Sequence, residues 1–119
     1  MRSFFLLLGV VLSLSSHAYS AATTQNPEIE HLIGFVATSD VRFIRNGKEY
    51  SSTEAADHLR DKLSKAGGRV KTAEDFIEGI ASKSYLSGDP YLIKFRDGHS
   101  AQTRGWLTAE LAKFREKQK

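Results

Sequence analysis

Val41-Arg42-Phe43-Ile44-Arg45-Asn46-Gly47-Lys48-Glu49-Tyr50 decides the fold of this chain. A short β-branched and aromatic run meets Asn-Gly and then returns. Both central residues of a type I′ turn need positive φ, and Asn-Gly supplies them at the least cost. A two-residue loop fixes the register: Arg45 faces Lys48, Ile44 faces Glu49 and Phe43 faces Tyr50. Phe43 and Tyr50 then share a buried face with Val41, and Ile44 points to the other side.

The sequence before the hairpin reads as a helix. Asn26 stands as cap, Pro27 at the first helical position and Glu28 in the first turn. Ile29, Leu32, Ile33 and Val36 follow at helical spacing, and the pattern stops near Thr38-Ser39-Asp40. After the hairpin, Ser51 and Glu54 stand at capping-box spacing ahead of Ala55, Ala56, Leu59 and Leu63, and Gly67-Gly68 closes that helix. Thr72 to Asp75 repeats the entry signal before Phe76, Ile77 and Ile80. Residues 82–90 form a loop with Ser82, Ser84, Ser87 and Gly88. Tyr91 to Phe95 reads as a strand, Asp97-Gly98 as a second tight turn with a possible short strand after it, and a last helix carries Trp106, Leu107, Leu111 and Phe114.

The expected architecture is α+β: a small antiparallel sheet, the hairpin plus one or two further strands, packed with four helices in the order α-β-β-α-α-β-α. Gly34 and Gly79, inside helices, each cost roughly 1 kcal/mol against Ala, so close helix contacts are expected there. Ile44 and Leu92 alternate onto the second face of the sheet. Either a helix covers them or they form an exposed apolar patch.

Further out, the N-terminus has the form of a secretory signal peptide, expected over residues 1–20. Arg2 supplies the charge, Phe4 to Leu14 the apolar run, and Ala18, Ser20, Ala21 and Ala22 the small residues. The run is shorter than the roughly 20 residues that a membrane span needs. Cleavage is expected after Ser20 or Ala18, and no cysteine follows to carry a lipid. That leaves residues 21–119 as one domain with a disordered start at about 21–26, no transmembrane anchor, and a periplasmic or secreted address. The chain has no cysteine at all, which excludes thiol chemistry and disulfide staples. Its formal charge of +3 falls to +2 without Arg2, with both signs interleaved, so no field favours nucleic acid. Lys113, Arg115, Lys117 and Lys119 complement the carbonyl end of the last helix.

Several segments are similar to one family. They are Phe43-Ile44-Arg45-Asn46-Gly47, Glu54-Ala55 with His58-Leu59-Arg60 and Lys62, Thr72 to Ile77, Ala81 to Ser84, and Ser87-Gly88-Asp89-Pro90-Tyr91. Together they resemble the YfeK-like group of small exported proteobacterial proteins, a domain of unknown function. The resemblance runs from about Glu28 to Trp106. It implies an exported single domain and supplies no catalytic residue.

Three constellations are candidates for chemistry. Arg45 and Lys48, opposed at the hairpin tip, can receive a carboxylate or phosphate, or Glu54 nearby. Glu54 and His58 lie one helical turn apart, with Asp57 between them. A small hydrolase needs the two in contact, and a metal needs more ligands than His31 and His99 add. Ser82, Ser84 and Ser87 lack the spacing of a known nucleophile motif. The reading is a non-catalytic periplasmic binding or interaction module without metal or cofactor. Its surface is Arg45, Asn46 and Lys48 with Glu54 and His58 of the adjoining helix and the Ser84 to Tyr91 loop. An envelope protein is the expected partner. An anionic envelope ligand, a peptidoglycan fragment or lipid headgroup, is the alternative.

Overall fold

The computed structural model describes residues 26–119. The expected signal peptide, its expected cleavage position and the disordered start expected from residue 21 to residue 25 lie outside the described residues. Asn26 caps α1 (Pro27–Thr38): its side-chain oxygen accepts from the amides of Glu28 and Ile29. The stripe of Ile29, Leu32, Ile33 and Val36 is buried to the last residue.

The chain then forms β1 (Arg42–Arg45) and β2 (Lys48–Tyr50) in the expected register. Asn46 and Gly47 have φ of 53° and 79°, the pair of positive values that the turn demands. Helix α2 (Ser52–Ala66) opens on a complete Ser51–Glu54 capping box and ends at Gly67. A 3₁₀ turn (Gly67–Arg69) leads to α3 (Ala73–Phe76), capped by a second box, Thr72 with Asp75. This helix does not stay α. It widens into a π-helical segment (Ile77–Ala81), which carries Ile77, Ile80 and Ala81 into the core. Strands β3 (Leu92–Lys94) and β4 (Ser100–Gln102) and helix α4 (Thr103–Lys117) complete the order. The strand after Asp97-Gly98 is therefore formed.

The sheet is antiparallel throughout, in the order β2-β1-β3-β4. Its inner face meets the helices through Phe43, Tyr91 and Ile93, which join Phe76, Leu107 and the α1 stripe in one core. Each large side chain buried there contributes roughly 1.5–3 kcal/mol of apolar transfer. Trp106 closes one flank, against Phe35 at 4.5 Å and Phe43 at 5.7 Å between ring centroids.

Ion pairs tie the helices at their surfaces. Arg60 of α2 donates twice to Glu30 of α1. Arg115 of α4 donates to Glu28 of α1 and Glu74 of α3. Arg115 is thus a clasp between three helices, a role that its place in a basic tail does not reveal.

The expectation of close packing at Gly34 and Gly79 fails, because a Cβ at either would meet nothing within 4 Å. On the outer face of the sheet Ile44 and Leu92 are direct cross-strand neighbours, and both are half-buried. They lie beside a ladder in which Glu49 pairs with Arg42 at 3.5 Å and Lys94 at 3.0 Å. The second face is therefore a small apolar pair framed by ions.

Candidate functional site

The hairpin tip and the 82–91 loop form one body. Asn46 is the staple: its amide donates to Ser84 Oγ at 3.4 Å, a long bond, and its carbonyl oxygen accepts from Ser87 Oγ at 2.7 Å. Within the loop, the Ser84 amide donates to the Asp89 carbonyl and the Gly88 amide to the Ser84 carbonyl. Ser82 Oγ donates to the Glu78 carbonyl. Each serine of the group is thus engaged in loop architecture, and none meets a base. The tip of this braced loop exposes Tyr85, at 66%, and Leu86, at 97%.

Under the loop lies a cation that the sequence pattern hides. Lys62 of α2 is only 8% exposed. Its Nζ donates to the carbonyls of Ile80 (2.7 Å) and Lys83 (3.2 Å) and to Tyr91 Oη (3.0 Å). The rings of Tyr85 and Tyr91 flank it at 4.2 and 4.8 Å. The ammonium caps the end of the π-helical segment, where the last carbonyls of a helix have no amide partner of their own. Ser82 serves Glu78, the Tyr85 hydroxyl serves Gly79, and Lys62 serves Ile80. Burial, and Arg45 next, hold the Lys62 amine down at about 8. A signal was present, since Ala55, Leu59, Lys62 and Ala66 continue one helical stripe, and all four are buried.

Tyr91 joins Lys62 to His58, whose Nε2 lies 3.2 Å from Tyr91 Oη. With the ammonium donating to Tyr91, the phenol proton goes to His58, which must then be unprotonated at Nε2. Burial and the neighbouring Arg45 and Lys62 charges lower the His58 pKa, in agreement with that arrangement, and burial raises Tyr91. Arg45 stands beside this chain. Its Nη2 donates to the Tyr50 hydroxyl at 3.2 Å, and the guanidinium lies 4.9 Å from the centre of that ring. Among the described residues no carboxylate pairs with Arg45 or Lys62.

Of the residues singled out from sequence, Arg45, Asn46, His58, Ser84 and Tyr91 are brought together. Lys48, the cross-strand partner of Arg45, is exposed and makes no bond to this cluster, and Glu54 is engaged elsewhere. The Glu54 carboxylate accepts from the Ser51 amide at 2.9 Å, and this bond lowers its pKa. Glu54 therefore pairs with neither Arg45 nor His58, and the contact that a Glu54–His58 hydrolase needs is not made. No group of three or more His, Cys, Asp or Glu among the described residues is placed to hold a metal. His31 instead bonds Glu110 at 2.7 Å and stacks on Phe114.

Two clefts flank the Arg45–His58–Tyr91 wall. One, about 240 Å³, runs under the loop past Lys62, Lys65 and Arg69 to Leu86, with Asp61 as its single acid. The other, about 180 Å³, enters between α2 and the hairpin and is mainly apolar.

No helix among the described residues is long and apolar enough to cross a membrane. Residues 23–115 match the model described as "Family of unknown function (DUF5329)", and the chain belongs to that family. It is similar to "Uncharacterized protein YfeK" of Salmonella typhimurium, with 46% identity over 52 residues. That match covers 44% of this chain and 43%, under half, of the relative. No solved structure matches the chain.

Proposed function

We propose that this member of the family is a non-catalytic interaction module of the bacterial periplasm, and that it docks an acidic segment of an envelope protein. Leu86 carries the reading. A leucine 97% exposed on a loop otherwise tied down by Asn46 resembles a preorganised anchor more than a floppy tip. Beside it the cleft is basic, with Arg45, Lys62, Lys65 and Arg69 against Asp61. Such a groove complements acidic side chains flanking an apolar one, and its charges steer the encounter. The leader-like first twenty residues support the periplasmic address. The bonding of Glu54 and His58 favours binding over hydrolysis.

A photoreactive amino acid at Leu86, activated in living cells making the full chain, tests this. The expected result is a discrete protein adduct that disappears in Arg69→Glu and persists in Arg115→Lys, which lies in α4 outside this cleft's lining. Absence of an adduct, or an adduct indifferent to Arg69→Glu, overturns the acidic-partner reading.

A further inference from the structure

The apolar cleft on the other side of Arg45 goes beyond the partner surface. Phe43, Ala55, Leu59 and Ala81 supply its walls, and it holds about 180 Å³. A cavity of roughly 150 Å³ with such walls admits benzene. Thr103 and Arg45, both in its lining, have bonding capacity to spare. Thr103, the first residue of α4, is 2% exposed, and its hydroxyl has no hydrogen-bond partner. A buried hydroxyl without a partner is costly, and an occupant that reaches it removes that cost. Arg45 has no carboxylate partner and uses a single N–H, toward Tyr50, among the described residues. A guanidinium fork of five N–H groups is made to take a carboxylate. The one acid in the lining, Glu54, is already bonded to Ser51.

We propose that this cleft binds a small organic acid, with its apolar body among these walls, its carboxylate at Arg45 and a hydroxyl or carbonyl at Thr103. The body is limited to about one aromatic ring or its aliphatic equivalent by the volume. The two polar groups sit apart on the ligand because Arg45 closes the hairpin end and Thr103 starts α4. An acid lacking the second polar group leaves Thr103 unsatisfied, and a neutral molecule leaves Arg45 so.

The experiment is an amide NMR titration of protein purified from cells making the full chain, with 4-hydroxybenzoate, benzoate and phenol as probes. 4-Hydroxybenzoate is expected to shift the amides of Ala81 and Thr103 and to bind about tenfold tighter than benzoate, the value of one good hydrogen bond. Thr103→Val preserves shape, as the spectrum itself verifies, and should erase that tenfold preference while leaving benzoate unchanged. Arg45→Gln should weaken both acids and leave phenol as it was. Shifts confined to the 82–91 loop, no binding of any probe, or an undiminished preference in Thr103→Val each overturn the proposal. None of these outcomes bears on the Leu86 adduct, so the two readings fail separately.

Discussion

Lys62 shows how a charge can be held inside a small domain without a counterion. Its three N–H groups all have oxygen acceptors: the Ile80 carbonyl near the end of the π-helical segment, the Lys83 carbonyl beyond it and the Tyr91 hydroxyl. Hydrogen bonds to a charged group contribute roughly 1.5–3 kcal/mol each, offset by several kcal/mol of desolvation. Removing the amine leaves the acceptors buried and unpaired, which is the larger penalty. Lys62→Met, which keeps the stem's packing, should therefore lose about 2 kcal/mol at pH 7 in urea denaturation. A neutral result would mean that water replaces the ammonium at no cost. Thr103 is the opposite case. Its buried hydroxyl serves no protein group, so Thr103→Val should gain about 1 kcal/mol in the ligand-free protein. A loss of stability there would show that the hydroxyl has a structural duty.

At the scale of elements, the hairpin turn does two jobs at once. Asn46 supplies a positive φ and holds the 82–91 loop through Ser84 and Ser87. Asn46→Ala should cost about 2 kcal/mol, part from the left-handed backbone and part from the loop. Asn46→Gly relieves the first part alone, so a thermal-melting series of the two separates turn from staple. If both variants melt together with the parent, the staple holds nothing. Gly34 is the converse, a helical glycine that no neighbour requires. Gly34→Ala should add between about 0.5 and 1 kcal/mol in the same assay. The hairpin, both capping boxes and the α1 stripe were legible in sequence because each is a local rule satisfied by adjacent residues. The π-helical segment was not. Phe76, Ile77 and Ile80 suit an α-helix equally well, and the group that serves the Ile80 carbonyl, Lys62, lies outside the segment. Lys62 comes from another helix, 18 residues from its acceptor Ile80, so no short window around residue 77 contains it.

At the scale of the whole molecule, the same distinction separates the fold from the site. The order of elements and the core followed from periodicity. The site depended on which turn of α2 faces the 82–91 loop, so Arg45 and Tyr91 were visible as site residues but Lys62 was named only among the residues of the family resemblance. Its burial has a consequence for global stability. An unfolded lysine titrates near 10.4, whereas Lys62 in the folded protein titrates at about 8. Between those values the unfolded chain binds more protons than the folded one, so stability must rise with pH across the window. The neutral amine loses no partner in doing so. It can still donate to Ile80 and Lys83 and accept from the Tyr91 hydroxyl, which then turns from His58 toward Lys62. Above about 10 the sign reverses. Tyr91 is raised in the folded state, so unfolded tyrosine ionises first and stability falls. On the acid side His58 is lowered, and its contribution, full above about 6.5, is lost as pH falls through the folded value. The unfolding free energy measured in urea from pH 5 to 11 should therefore climb from neutrality to a maximum near pH 10. Lys62→Met must remove the climb between about 8 and 10 and keep an acid limb, reduced because the Lys62 charge beside His58 is gone while burial and Arg45 remain. A parent profile that is flat across that window, or a climb that survives in Lys62→Met, would place the proton on some other group and leave Lys62 an ordinary surface lysine.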